Sequence, residues 1–324
     1  MHASMKIARS IAAALLCAPM AATAQSDYPN KSVRLVVPFA PGGSADLVAR
    51  VLAQKLGDQM GQQVVIDNKA GANSNIGADV VAKAPADGYT ALYNTSSTIF
   101  NMSIYPNLSY DTFRDFSPVA LTATVPQMLV VIPSMPVKNL TEFIAYVRSN
   151  PGKLNYASVG IGNIAHLTTL LFSDLTKIDA QHVPYNGSQA AYVDLLGGRT
   201  HFYFATVASA VPYVKDGRLR PIAVTSLVRT KAAPEVPTLN ESGMPKFEAT
   251  AWQGMLVPTK TPVAAINRLN SEINKALKNA DLQRQFDAQG TLPLGSTPQE
   301  YGAYLKSEHD RWSKIIRDAK IKPE

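Results

Sequence analysis

The chain has 324 residues, 46% of them hydrophobic and 17% charged, with 31 Lys and Arg against 24 Asp and Glu for a formal net charge of +7. Such a composition supports a sizeable buried core and excludes disorder on compositional grounds. The basic excess is scattered, with no run of five basic residues, so the clustered patch of a nucleic-acid surface is missing; five His and one Cys exclude zinc-finger-type sites.

Residues 1–24 read as a secretory leader. Lys6 and Arg9 form a positive start, Ile11 to Met20 is a short apolar stretch, and Ala22-Thr23-Ala24 supplies a small-residue cleavage pattern before Gln25. The apolar stretch is too short to anchor in a bilayer. Leu16 precedes Cys17 where a lipobox needs a small residue, so lipidation is not expected. Removing 24 residues leaves a mature chain of 300 with no cysteine. It must fold without a disulfide staple, and an exported, periplasmic location is expected.

Strands and helices then alternate. Val33 to Val37 is a β-branched run ending at Pro38, followed by Pro41-Gly42-Gly43-Ser44 and a helix with Leu47, Val48, Val51, Leu52 and Leu56 on one stripe. Gly61 closes that unit and residues 63–67 form a second strand. Further helices are expected at 76–83, 139–148, 163–176, 188–196, 262–279 and 298–319, and strands near 89–94, 127–132, 154–158, 181–184, 200–205, 220–226 and 252–257. Asn139 with Glu142, and Thr297-Pro298-Gln299-Glu300, carry helix-start signatures. Alternation on this scale predicts an α/β fold of parallel sheets flanked by helices.

Two Gly-rich turns draw the chemistry. Residues 38–46 link a strand to a helix at the strand's carboxyl end, where open α/β sheets bind ligands. Glycines let the backbone approach a ligand, and the free N–H groups of the helix start favour an anion. A plain tight turn with a helix cap is the simpler reading of this segment alone. The device recurs at 158–166, where Asn163 suits a helix cap and His166 falls in the first turn, as a structural histidine or a ligand contact. Gly160, Gly162 and Ala165, with Asp179 further on, imitate a dinucleotide fingerprint, but the first unit lacks a matching half. No G-x-S-x-G elbow, H-E-x-x-H helix or phosphate-binding G-x-x-x-x-G-K-[ST] loop occurs, and no mature histidine has a metal partner four residues on. No cofactor, metal or catalytic residue is expected.

Longer stretches resemble a known family. Arg34-Leu35-Val36-Val37-Pro38-Phe39-Ala40-Pro41-Gly42-Gly43-Ser44-Ala45-Asp46, Ala84-Pro85-Ala86-Asp87-Gly88-Tyr89-Thr90, Val183-Pro184-Tyr185-Asn186-Gly187-Ser188 and Asp194-Leu195-Leu196-Gly197-Gly198 resemble segments of the tripartite tricarboxylate transporter receptors, the Bug-type solute-binding proteins. With Trp252-Gln253-Gly254 and intervening matches, the resemblance spans the mature chain in order. It implies the type II periplasmic-binding-protein fold, two α/β lobes around a ligand cleft. Lobe I would be discontinuous, 25–126 plus 249–324, and lobe II would be 127–248. It implies a receptor that captures a small organic carboxylate, a dicarboxylate or aromatic acid, and hands it to membrane transporter subunits. It would be no enzyme, and a monomer with no nucleic-acid partner. A sensor or scavenger uncoupled from transport is the alternative, and an enzyme the third reading.

By the same resemblance the loops become pocket walls. The candidate contacts are Phe39, Ala40, Gly42, Gly43, Ser44 and Asp46 in the first turn, Ser96 and Ser97 after the third strand, and Ser158, Gly160, Gly162, Asn163 and His166 in the second turn. Tyr185, Asn186 and Thr206 complete the set. The chain departs from the family at Asn94, Asn163 and Ala205, where ligand identity would be set. None of these loops contains Lys or Arg, so a carboxylate would rest on backbone N–H groups, hydroxyls and water. Asp46 is their one acid; it either complements the helix start or faces the ligand. Phe39, Ile161, Tyr185, Val207 and Phe100 are the candidate apolar walls.

Overall fold

The computed structural model describes residues 28–318 and 321, so the expected leader lies outside the described residues. The chain opens with β1 (Val33–Val37), α1 (Ser44–Met60) and β2 (Val64–Asn68). After a 3-10 turn at Ala72–Ser74 come α2 (Asn75–Ala82), β3 (Thr90–Thr95), α3 (Ser96–Ile104), α4 (Thr112–Asp115) and a long β4 (Phe116–Val131). The middle of the chain is α5 (Leu140–Arg148), β5 (Asn155–Ser158), α6 (Ile164–Thr176), β6 (Gln181–Pro184), α7 (Ser188–Leu196), β7 (Phe202–Thr206), α8 (Val207–Lys215) and β8 (Arg220–Val224). It closes with β9 (Thr250–Pro258), α9 (Val263–Leu277), α10 (Ala280–Ala288), β10 (Leu292–Pro293) and α11 (Pro298–Asp318).

The strands run in the order β2-β1-β3-β9-β4-β7-β5-β6, with β8 and β10 also paired to β4. Two lobes follow from how β4 is shared. Over Phe116–Pro126 it pairs with β9 in the first sheet, and from Gln127 to Val131 with β7 in the second. The expected parallel pairing holds for β1 with β2 and β3, and for β5 with β6 and β7. The sheets are nevertheless mixed, because β4 and β9 lie antiparallel as the chain's outward and return passages between lobes.

Four helices escaped the sequence reading, the single turn of α4 among them. α3 is Ser-, Thr- and Asn-rich and reads as loop, yet it is buried against α11, with the Phe100 and Trp312 rings 5.2 Å apart. α8 carries Pro212 in its interior, which argues against a helix. α10 follows α9 after Asn279, whose side chain accepts from the N–H groups of Asp281 and Leu282. Both expected helix starts are built as read: Glu142 N–H donates to Asn139 Oδ1 (2.9 Å) and Glu300 N–H to Thr297 Oγ1 (3.1 Å). Each such cap is worth about 1 kcal/mol.

α11 fastens the C-terminal segment to the first lobe through a buried carboxylate. Glu308 Oε2 accepts from the indole N–H of Trp252 on β9 (2.9 Å) and of Trp312 (3.1 Å). Removing the acceptor strands two buried donors, so Glu308→Leu is expected to lower the unfolding free energy by about 2–4 kcal/mol. Urea denaturation checks this. A loss no larger than that of an exposed substitution on α11 refutes it.

Candidate ligand-binding site

Five helix starts converge on one cleft between the sheets. Gly43, Ser44 and Ala45 open α1; Thr95 and Ser96 open α3; Asn163, Ile164 and Ala165 open α6; Gly187 and Ser188 open α7; Thr206 precedes α8. All of them line a space of about 570 Å³, open mouth included. These helices follow β1, β3, β5, β6 and β7, so the cleft lies at the carboxyl ends of both sets of parallel strands. Only Asn163 caps with its side chain, accepting from Ala165 N–H (2.9 Å); Gly43, Thr95, Gly187 and Thr206 make no side-chain cap bond. Uncapped first-turn N–H groups are donors awaiting an acceptor, and their dipoles favour an anion. Phe39, Val159, Tyr203, Phe204 and Ala251 supply much of the apolar wall, and no charged side chain is among the lining residues.

A buried chain of hydroxyls orients the first turn. Tyr93 OH donates to Gln253 Oε1 (3.2 Å), and Gln253 Nε2 donates to Ser44 Oγ (3.0 Å). With its oxygen accepting from Gln253, the Ser44 hydroxyl is free to donate elsewhere. Behind the turn, Asp46 accepts from Gly42 N–H (2.9 Å), from Asn68 Nδ2 (3.0 Å) and from Arg50. Burial works against its charge, but the bonds from Arg50, Gly42 and Asn68 outweigh that and hold the carboxyl below its usual value. Gly42 needs its glycine, sitting at φ +80°.

The second turn is braced by two histidines. Gly162 N–H donates to His166 Nδ1 (3.0 Å), and the His166 ring lies flat on His182, centroids 3.9 Å apart. Ser158 Oγ lies 2.6 Å from His182 Nε2. Burial pushes the His166 pKa down to about 4; burial and the neighbouring His166 push His182 to about 3.

The lobes also touch away from the cleft wall. Asn73 Nδ2 donates to Asn101 Oδ1 in its own lobe and to the Ile161 carbonyl in the other, both at 2.9 Å. Ala72, Asn73 and Ser74 all have positive φ, and Asn101 Nδ2 holds this turn through the Asn73 carbonyl (2.7 Å) and Asn75 Oδ1 (2.6 Å). Gly162 sits so close to Ile104 that a Cβ there would stand 1.9 Å from its Cδ1.

Of the residues singled out in the sequence, Phe39, Ala40, Gly43, Ser44, Ser96, Asn163 and Thr206 line this cleft. Asn186 lines a small adjoining chamber with Phe39, Asn73 and Gly187. Gly42, Asp46, Ser158, Gly160, Gly162 and His166 stand behind the lining and shape its two turns. Ser97 lies 3.4 Å from Asn163 Nδ2, and Tyr185 turns its hydroxyl to Asp194 (2.8 Å). Among the expected apolar walls, Phe39 lines the cleft, Phe100 packs under Trp312 and Val207 belongs to the second lobe's core. Thr95, Val159, Gly187 and Ser188 fall in loops read as pocket walls without being singled out, and the reading missed Gln127, Tyr203 and Gln253 outright. Gly187-Ser188 repeats the Gly43-Ser44 pattern at a strand-to-helix junction, and a lone Gln interrupts each of two apolar strands; both signals were there to find.

Two outcomes follow from this geometry. Unfolded histidines return to a pKa near 6.5 and take up protons that the folded rings refuse. Stability is therefore full above about pH 6.5, falls as pH drops toward 4, and levels off below the folded values. At pH 5 each ring costs about 1–2 kcal/mol. Urea unfolding at pH 7.5 and pH 5 should show this loss, and His182→Gln should shrink it; an undiminished loss refutes the assignment. Separately, Asn73→Ala removes the cross-lobe donor, so small-angle scattering of the unliganded variant should give a larger radius of gyration than wild type. Identical curves would mean that this bond does not hold the lobes together.

A family model described as the tripartite tricarboxylate transporter family receptor matches residues 48–321. The protein BugT of Bordetella pertussis is 38% identical over 316 residues, covering 96% of each chain. The solved structure of Rhodopseudomonas palustris Rpa4515 with adipate is 36% identical with a TM-score of 0.89, covering 92% of this chain and all of that one. MatC from the same organism, with bound malate, is 31% identical with a TM-score of 0.83 over 89% of this chain and 100% of its own. Among the described residues no helix is long and apolar enough to cross a membrane. With two lobes, a cleft ringed by helix starts and matches of this extent, the chain belongs to the tripartite tricarboxylate transporter receptor family of periplasmic solute-binding proteins.

Proposed function

We propose that the chain is an exported receptor that captures a small organic carboxylate, a dicarboxylate or an aromatic acid, and delivers it to a tripartite tricarboxylate-type transporter. The observation that carries this reading is the meeting of five helix starts, four without a side-chain cap, in a cleft with no charged lining residue. Charge-assisted bonds from N–H groups and hydroxyls are worth about 1.5–3 kcal/mol each, so several hold an acid without an Arg clamp. Two groups of helix starts, Gly43 beside Ser188 and Ser97 beside Asn163, suit a carboxylate at either end of an apolar spacer. Adipate and malate in the two relatives are consistent with an acid of that size. Citrate is disfavoured, since its three charges would find no cationic partner. Residues 25–126 with 249–324, and 127–248, are the proposed lobes, hinged where β4 changes partner.

Calorimetric titration with adipate, succinate, phenylacetate and citrate at two salt concentrations tests the reading. At least one of the first three should outbind citrate, with little salt dependence, since dipoles inside a closed cleft are screened less than exposed charges. A Cβ at Gly43 meets only ordinary contacts, 3.5 Å to Ser188 Oγ, and its φ is −81°, so Gly43→Leu should keep the fold and fill the cleft. Binding should then fall by about a hundredfold or more, with the unliganded melting temperature nearly unchanged. Tight citrate binding that weakens steeply with salt, or unchanged affinity in Gly43→Leu, overturns the reading. Loss of uptake of the bound acid in cells lacking the protein tests the transporter step.

A further inference from the structure

The cleft is rich in donors, and one of its buried wall residues holds a side-chain acceptor that has no partner. Gln127 is fully buried and lines the cleft where β4 passes from one sheet to the other. Its backbone is claimed: the N–H donates to Thr225 Oγ1 (2.9 Å) and the carbonyl accepts from Thr225 N–H (2.8 Å). Nε2 donates to Thr168 Oγ1 (2.6 Å) and reaches the Ala249 carbonyl (3.5 Å). A carbonyl only accepts, so the amide atom facing Ala249 is the nitrogen, which fixes the orientation of the side chain. Oε1 is left buried without a partner. Thr95 Oγ1 is the other lining side-chain atom in that condition, but a hydroxyl can donate, so a bound carboxylate satisfies it. A carboxylate cannot satisfy Gln127 Oε1.

Resting on the carboxylate reading above, we propose that Gln127 Oε1 accepts a hydrogen bond from a hydroxyl of the ligand, making Gln127 a specificity-determining residue and a hydroxy acid the preferred substrate class. An ammonium would also donate, but it finds no acid on the cleft wall: Asp46, the acid of the first turn, is bound to Arg50, Gly42 and Asn68 behind α1. The positive ends of five helices would oppose that cation as well. A neutral hydroxyl carries neither penalty. The position of Gln127 adds a consequence. Its amide binds Ala249 on the return passage and Thr168 on α6, so a hydroxyl held by Oε1 bears directly on the joint between the lobes.

Matched pairs of acids test this: succinate against D- and L-malate, adipate against 3-hydroxyadipate, and phenylacetate against D- and L-mandelate, each titrated calorimetrically into wild type and Gln127→Leu. In the pair that fits, the hydroxy acid should bind wild type about tenfold or more tighter than its partner, because the analogue leaves a buried acceptor unpaired. In Gln127→Leu that advantage should fall below about threefold, whatever the loss in absolute affinity common to both acids of the pair. Deoxy acids that bind as well as their hydroxy partners overturn the inference and leave the carboxylate reading standing. A hydroxyl advantage that survives in Gln127→Leu overturns the role of Gln127. Failure of every acid to bind sinks the inference and the carboxylate reading together. If the variant does not fold, the wild-type ratio still decides the hydroxyl.

Discussion

Between Pro126 and Gln127 the partner of β4 changes from β9 to β7, and a single strand carries the hydrogen bonding of both sheets past the cleft. The return passage is tied to it at the same level. Thr225 pairs with the Gln127 backbone, and its hydroxyl donates to the carbonyl of Ala249, one residue before β9 (2.5 Å). Two passages bonded to each other leave little freedom at the joint except rotation of one lobe against the other, the hinge motion available to such a fold. The same joint sets which strand ends face each other. The carboxyl ends of β1 and β3 in one lobe confront those of β5, β6 and β7 in the other, and the helices that follow inherit that meeting point.

A cleft lined without ionised side chains is the electrostatic result. Helix dipoles are fixed by the backbone, so no side-chain entropy is spent in orienting them, and they present partial positive charge from several directions at once. A Lys or Arg would hold any carboxylate but would need rotamers frozen around it. The charges nearest the first turn, Asp46 and Arg50, instead pair with each other behind α1. Their service is structural. Asp46 accepts from Gly42 N–H, and Asn68, which donates to Asp46, also donates to the Phe39 carbonyl (2.9 Å), so both ends of the turn are held. The first turn is thus braced by an ion pair, while the lining itself is neutral.

Periodicity made the strand-turn-helix units legible, and the turns at 38–46 and 158–166 were correctly placed at the carboxyl ends of β1 and β5. The length of β4 was not legible, because Pro118 and Pro126 break the pattern of a central strand. The structure accommodates Pro118 beside a register shift in the ladder and Pro126 at the partner change. α3 was hidden because tertiary burial, rather than propensity, makes its Ser/Thr/Asn segment helical. At the site, the sequence pointed to loops but not to side-chain directions. Asp46 and His166 are polar residues in the right turns, yet each is spent on a backbone N–H behind the wall. Gln127 and Gln253 reach the wall from strand interiors, where an isolated polar residue in an apolar run is the only trace.

The contacts around Asn73 place part of the closing energy outside the ligand. Its amide crosses to Ile161 from a turn with three consecutive left-handed residues, conformations that persist only when neighbours over-determine them. Asn101 supplies that determination with bonds to Asn73, Ser74 and Asn75. A bond between the lobes that needs no ligand favours their closed arrangement, so a ligand would enter from the fraction of molecules in which that bond is open. Apparent affinity in such a case reflects the contacts made by the ligand and the fraction of open molecules it can enter. Weakening the Asn73 bond moves both quantities, favouring entry while removing a share of closure. Strengthening the cleft's own contacts moves only the first. Asn73, beside the wall, thereby couples closure to affinity, whereas a contact made to the ligand alone leaves the unliganded balance untouched.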